Sequence, residues 1–186
     1  MINKILVAVE RSSNNNLVFN SAISLAKTTG ATLMLLHVLS ENEANYPLIP
    51  TYAYYPIMED RDYQIYREKF EQYKQLGFDF LQNLTAKATE AEVKCEYTQL
   101  TGNPGRSICE LASTWEADLI LVGSRGLRGL KEMFLGSVSN YVTHHAPCSV
   151  LIVRDSSIAS TTSAELENEK LSQSLDRDSG LRIQNL

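Results

Sequence analysis

Long apolar runs are missing from this 186-residue chain. The longest early one, residues 5–9, is too short for a membrane-spanning helix or a signal-peptide core, and no cleavage-site pattern follows it. A cytoplasmic location without membrane attachment is expected. Cysteine is scarce: Cys95, Cys109 and Cys148 form neither a C-x-x-C pair nor a disulfide framework, which leaves them as buried thiols. Positive charge is in deficit, with 17 Lys and Arg against 22 Asp and Glu, and a net charge of −5 argues against nucleic acid as a general partner. A local basic cluster can still hold a small phosphate ligand. Histidine is rare too. Neither His37 nor the adjacent His144-His145 pair has metal-ligand spacing, so no metal site is expected, and His37 reads as a satisfied core residue.

What is present is enough apolar residue, 44%, to bury the core of one ordinary domain. Residues 5–9 read as a buried strand, a helix follows over roughly 14–29 until Gly30 stops it, and residues 32–38 form a second buried strand. Strand, helix, strand at this spacing is a right-handed crossover in a parallel sheet, hence an α/β layered fold. Residues 40–62 are irregular, with Pro47, Pro50 and Pro56 among Tyr46, Tyr52, Tyr54 and Tyr55, and are too long for a plain connection. A long helix covers about 63–91, with Tyr66, Phe70, Tyr73, Phe80 or Leu81, Leu84 and Ala88 on one face and Gly77 weakening its middle. Residues 93–100 alternate apolar and polar, the pattern of an edge strand. Gly102-Asn103-Pro104-Gly105 reads as a turn before a helix with Ile108, Leu111, Ala112 and Trp115 inward. Residues 119–122 make a further buried strand, a last helix starts near Ser137, and Pro147 precedes a final strand, Ser149–Val153.

The stretch from Ala117 to Ser139 carries the chemistry. Gly123, Gly126 and Gly129 fall three residues apart with Arg125, Arg128 and Lys131 among them, and a second polar turn arrives at Gly136, Ser137 and Ser139. Glycines let backbone N–H groups approach phosphate oxygens, and a helix N-terminus favours negative charge. Ser137 is placed to cap that helix, whereas Ser139 has less structural reason for its position. The stretch is not a Walker A loop, which needs Lys-Ser or Lys-Thr after its second glycine, nor a G-x-G-x-x-G dinucleotide fingerprint. Gly123, two residues, Gly126, nine residues, then Gly136-Ser137 instead resembles the G-2x-G-9x-G-S/T motif of the universal stress protein family, in its ATP-binding branch.

That resemblance covers residues 2–154 apart from 40–62. It implies a three-layer α/β fold, a doubly wound sheet of five parallel strands in the order 3-2-1-4-5 with helices on both faces. The alternating third strand suits an edge. In that order the chain reverses between strands 1 and 4, where open α/β sheets bind their ligands. Carried over by position, Ala8, Val9 and Glu10 lie along the adenine and Val38 lies near the ribose or base. Gly123, Arg125, Gly126, Gly136, Ser137, Val138 and Ser139 hold ribose and phosphates. The family usually has Asp where Glu10 stands, which leaves base preference less defined than phosphate binding. The implied ligand is ATP, with ADP or AMP as alternatives. Mg²⁺ would be bound mainly through the nucleotide's own phosphates, because Glu132 is the loop's only acid.

The expected function is therefore that of a cytoplasmic ATP-binding stress-response or signalling protein, with no catalytic residue assigned. A slow ATPase or phosphotransferase is one alternative, and a dimeric regulatory scaffold that binds a cyclic nucleotide or none is another. The final strand has neither an internal charge nor a proline to protect it as an edge. The family pairs this strand antiparallel with a second subunit, implying a homodimer through Ser149–Val153. Residues 1–154 form one nucleotide-binding domain with an insertion at 40–62. Residues 155–186, with no aromatic residue and nine Ser or Thr, are a polar acidic tail expected to be disordered, although Thr162 and Glu165 offer a capping box.

Overall fold

Strands and helices alternate from β1 (Lys4–Ala8) through α1 (Asn15–Thr29), β2 (Thr32–Leu39), α2 (Asp60–Glu90) and β3 (Cys95–Thr101), then α3 (Pro104–Thr114), β4 (Leu119–Gly123), α4 (Ser137–His145) and β5 (Ser149–Val153). In the computed structural model the described residues are 1–11, 15–41, 43, 46–47, 60–124 and 135–154, with backbone alone for 60–62. Every strand pairing is parallel and the order is β3-β2-β1-β4-β5, as expected.

β1, β2 and β4 are almost wholly apolar because both of their faces are covered, whereas the edge strand β3 alternates. Alternate side chains serve opposite layers. Ile5, Val7, Leu33, Leu35, Leu119 and Leu121 enter a core with Val18, Phe19 and Ala22 of α1 and Leu81, Leu84 and Ala88 of α2. Leu6, Met34, Leu36, Ile120 and Val122 enter a second core with Ile108 and Ala112 of α3 and Val142 of α4. The chain thus changes face after β3, and this change lets β4 pair with the free side of β1.

Several local expectations are corrected. β1 opens at Lys4, whose ammonium donates to the Trp115 carbonyl at 3.0 Å, and the ladder continues past Ala8 as the Val9 N–H donates to Leu36 at 2.9 Å. α2 opens at Asp60, so residues 60–62 are helical rather than irregular. β3 begins at Cys95 because Glu92, at φ 59°, turns the chain and commits the Val93 N–H to the Ala88 carbonyl. The expected turn at 102–105 is instead a helix start. Asn103 caps α3 by accepting the Arg106 N–H at 3.1 Å, and Pro104 takes the first helical position, where a missing N–H does no harm. Gly77 does more than weaken α2; it permits the helix's close approach to β2 and β3. The cysteines are half-buried rather than buried, and desolvation pushes the Cys95 thiol up to about 11. Pro50, Pro56, Tyr52, Tyr54, Tyr55 and the whole of 155–186 lie outside the described residues.

Candidate functional site

The carboxyl ends of β1 and β4 are neighbours at the point where strand order reverses. β4 ends at Gly123, and the Ser124 N–H donates to Val153 at 2.9 Å, which extends the β4–β5 ladder by one residue. The chain returns at Gly136, whose N–H donates to the Ser124 carbonyl at 2.9 Å. Both ends of the glycine loop are therefore tied at one acceptor, and α4 starts beside the end of β4. The sequence places Ser124 with Gly123 at the strand end beside the crevice, but the motif assigns it no contact.

Gly136, not Ser137, is the N-cap of α4, in extended conformation and without a side-chain cap bond. Ser137 is the exposed first helical residue. The Asn140 N–H closes the first turn on the Gly136 carbonyl, so the N–H groups of Ser137, Val138 and Ser139 precede the helical ladder. Ser139 proves structural: it is 2% exposed, and its hydroxyl donates to the Gly136 carbonyl at 3.0 Å and reaches the Ser124 carbonyl at 3.4 Å. It braces the loop closure, a structural reason for its position that the motif does not show.

On the β1–β2 side the expected residues divide. Ala8, Val38 and Val138 border the core under α3 and α4, and Val38 stands one same-face step beyond Leu36, the register partner of Ala8. Val9 points the other way, into the core under α1 and α2, so on the Ala8–Val38 side the chain presents its backbone there and not its side chain. Glu10 is half-exposed just beyond the strand. Arg125 and Gly126, and with them Arg128, Gly129, Lys131 and Glu132, lie outside the described residues.

A second polar centre occupies the opposite face of β2. His37 is fully buried, with Nε2 3.0 Å from Glu43 Oε1 and Nδ1 3.5 Å from Gln99 Oε1. Tyr73 donates to the other Glu43 oxygen, and Gln99 donates to the Lys74 carbonyl at 3.1 Å. Burial, then the bond to Glu43, raises the Tyr73 phenol well above its ordinary range, against the opposing pull of the Arg11 guanidinium over its ring. The expectation of a satisfied core histidine holds, and its partners tie the segment after β2 to α2 and β3. Among the described residues no cluster of His, Cys, Asp or Glu could hold a metal ion, and no helix is long and apolar enough to cross a membrane.

This fold recurs in known proteins. Universal stress protein Sll1388 of Synechocystis is 38% identical over 151 residues, covering 81% of this chain and 97% of that protein. YxiE of Bacillus subtilis is 38% identical over 157 residues, covering 83% and 100%. Among solved structures, the hypothetical protein MJ0577 has a TM-score of 0.68 at 22% identity, covering 83% of this chain and 97% of its own. A universal stress protein in complex with cAMP scores 0.56 at 21%, covering 82% and 97%, and one from Archaeoglobus fulgidus in complex with dAMP scores 0.51 at 20%, covering 82% and 99%. Residues 1–154 match the profile of the universal stress protein family. With the sheet order, the family profile and these relatives in agreement, the chain belongs to the universal stress protein family.

Proposed function

We propose that this protein is a cytoplasmic ATP-binding stress-response or signalling protein that holds its nucleotide at the carboxyl ends of β1 and β4. The observation that carries this reading is the closure at Ser124, which sets the N-terminus of α4 beside the end of β4 at the topological switch point. Three leading N–H groups and the positive end of a nine-residue helix suit phosphate oxygens. Gly123, Arg125, Gly126, Gly136, Ser137 and Val138 are the proposed phosphate and ribose contacts. Ser139 offers its N–H as a further proposed contact and braces the loop with its hydroxyl. Ala8, Val38 and the backbone at Val9–Glu10 are the proposed base and sugar side, and ADP or AMP would use the same groups. Mg²⁺ would enter mainly on the nucleotide's own phosphates. The cAMP and dAMP complexes of the two structural neighbours support an adenine nucleotide as the ligand class.

Calorimetric titration of nucleotide-stripped protein with ATP and Mg²⁺ tests this, beside a Gly126→Asp variant checked by circular dichroism. Wild type should bind, and a folded variant with bulk and negative charge in the loop should not. Absence of binding by wild type would overturn the reading. The cAMP complex gives the cyclic-nucleotide scaffold specific support as a second reading. Under that reading cAMP binds tightly where ATP does not.

A further inference from the structure

We infer that His37 and Glu43 share one titratable proton and so form a pH-sensitive latch, closed while the pair holds that proton and opened when rising pH removes it. The inference does not rest on the nucleotide reading. His37 follows Leu33 and Leu35 on one face of β2, fully buried, with its ring edge-on to Phe80 of α2. Glu43 lies just past the end of β2, and its side chain is 11% exposed. One carboxylate joins three pieces of the chain. Its Oε1 lies 3.0 Å from His37 Nε2, and its Oε2 accepts the Tyr73 hydroxyl of α2. The Glu43 N–H donates to the Ser40 carbonyl at 3.0 Å, and its own carbonyl accepts the Tyr46 N–H at 3.3 Å. Tyr46 then packs its ring against Tyr73 and Phe70, so Glu43 holds the root of this segment on α2.

The acceptors around the ring count its protons. Gln99 donates its amide nitrogen to the Lys74 carbonyl at 3.1 Å, which turns its Oε1 toward His37 Nδ1 at 3.5 Å. The reversed amide would set oxygen against oxygen at Lys74. Both ring nitrogens therefore face oxygen acceptors, yet a neutral imidazole carries a single N–H. Beside an ionised carboxylate, a neutral ring would leave one of its two contacts as lone pair against lone pair. One added proton satisfies both. It lies on the ring, as an imidazolium facing a carboxylate, or on Glu43 Oε1, which then donates to Nε2; in each case Nδ1 carries a hydrogen and the pair is neutral. Loss of that proton leaves a buried negative charge and a bare Nδ1 against Gln99, both costly away from water. The surrounding titratable groups are few. α2 contributes Tyr73, and Arg11 from beyond β1 lies over its ring at 5.6 Å. Tyr46 and Glu41 come from the segment itself, Lys74 pairs its ammonium with Glu71, and β3 brings uncharged Gln99 with Tyr97 one same-face step away. Burial and then Glu43 raise the Tyr73 phenol, so it goes on donating while the shared proton leaves.

Glu43→Gln isolates the proton. Its amide can donate to Nε2 of a neutral ring whose Nδ1–H meets Gln99, and its oxygen can still accept from Tyr73, so the network closes without a titratable group. The test uses nuclear magnetic resonance on the full chain from about pH 6 to about pH 9, spanning the range in which histidine changes charge. It follows the His37 ring nitrogens and the exchange of the Glu43 and Tyr46 amides, corrected for the intrinsic pH dependence of exchange, with the Leu121 amide as a control for global unfolding. In wild type Nδ1 should be protonated at the acid end and lose its proton as pH rises. Over the same range Glu43 and Tyr46 should lose about tenfold or more in protection, the scale of one lost hydrogen bond to a charged group, while Leu121 does not change. Glu43→Gln should keep its protection throughout. A bare Nδ1 at the acid end, constant protection in wild type, or an equal loss in Glu43→Gln would overturn the latch. If that variant does not fold, the two wild-type measurements decide, because either a bare Nδ1 or a flat exchange profile is sufficient to overturn it.

Discussion

Gly77 sits where α2 passes over β2 and β3, and a Cβ there would lie 2.2 Å from Gln99 Oε1 and 2.9 Å from His37 Nδ1. Neither neighbour is free to move. Gln99 is held by the Lys74 carbonyl, and the buried His37 ring is held by Glu43. Alanine would gain about 1 kcal/mol of helix propensity, but overpacking a fixed contact of this kind costs about 1–3 kcal/mol. Gly77→Ala should therefore be destabilised in urea unfolding; a more stable variant would refute the close-approach reading. Glu92 and Glu116 pose the opposite case. At φ 59° and 56° they occupy left-handed positions that close α2 and α3, with Val93 N–H on Ala88 and Ala117 N–H on Ala112. The left-handed conformation costs a non-glycine residue roughly 1–2 kcal/mol, and glycine's extra unfolded freedom returns about 0.5–1 kcal/mol of that. Glu92→Gly should gain up to about 1.5 kcal/mol, seen as a higher urea midpoint with unchanged slope.

Elements are joined at the amino end of the sheet by Asp118, which precedes β4 and accepts the N–H groups of Asn3 at 2.7 Å and Lys4 at 3.0 Å. Those two backbone bonds hold its carboxyl below the ordinary carboxylate range. The folded value is depressed, so this contribution is fully present above the unfolded range of aspartate and is lost as pH falls through the folded value. Asp118→Asn should lower stability at neutral pH and flatten the acid limb of the stability curve; an acid limb identical to that of wild type would exclude the clamp. The strands around this clamp were legible in sequence because unbroken apolar runs such as Leu119–Val122 have few other uses. Gly77 was not, because its role depends on His37 and Gln99, residues distant in sequence. The structural role of Ser139 was hidden for a related reason. Its partners, Ser124 and Gly136, meet only when the glycine loop closes. The length of α2 also exceeds what the sheet requires. Its 31 residues span about 46 Å at 1.5 Å each, whereas strands of five to eight residues reach only about 17–26 Å. The early turns, where Tyr66 stacks on Phe70, pack instead against Tyr46 of the segment after β2.

For the whole molecule, sheet order leaves two edges, β3 and β5. β5 is the more inviting for a second copy of the chain. It carries no charge and no proline over Ser149–Val153, and Leu151 at its centre is 42% exposed. An unpaired apolar edge is a template for strand addition, and antiparallel addition of the same strand closes under a two-fold axis without leaving a further edge. An axis through the middle residue of a five-residue strand sets Leu151 opposite its own copy. Wild type should therefore sediment as a homodimer. Leu151→Asp would bring two carboxylates together across that axis, where like charges on paired strands repel, and should sediment as a monomer with an unchanged far-ultraviolet circular dichroism spectrum, because the side chain is already partly in solvent. A folded Leu151→Asp protein that remained dimeric would move the interface elsewhere, and a wild type that stayed monomeric at tens of micromolar would remove it.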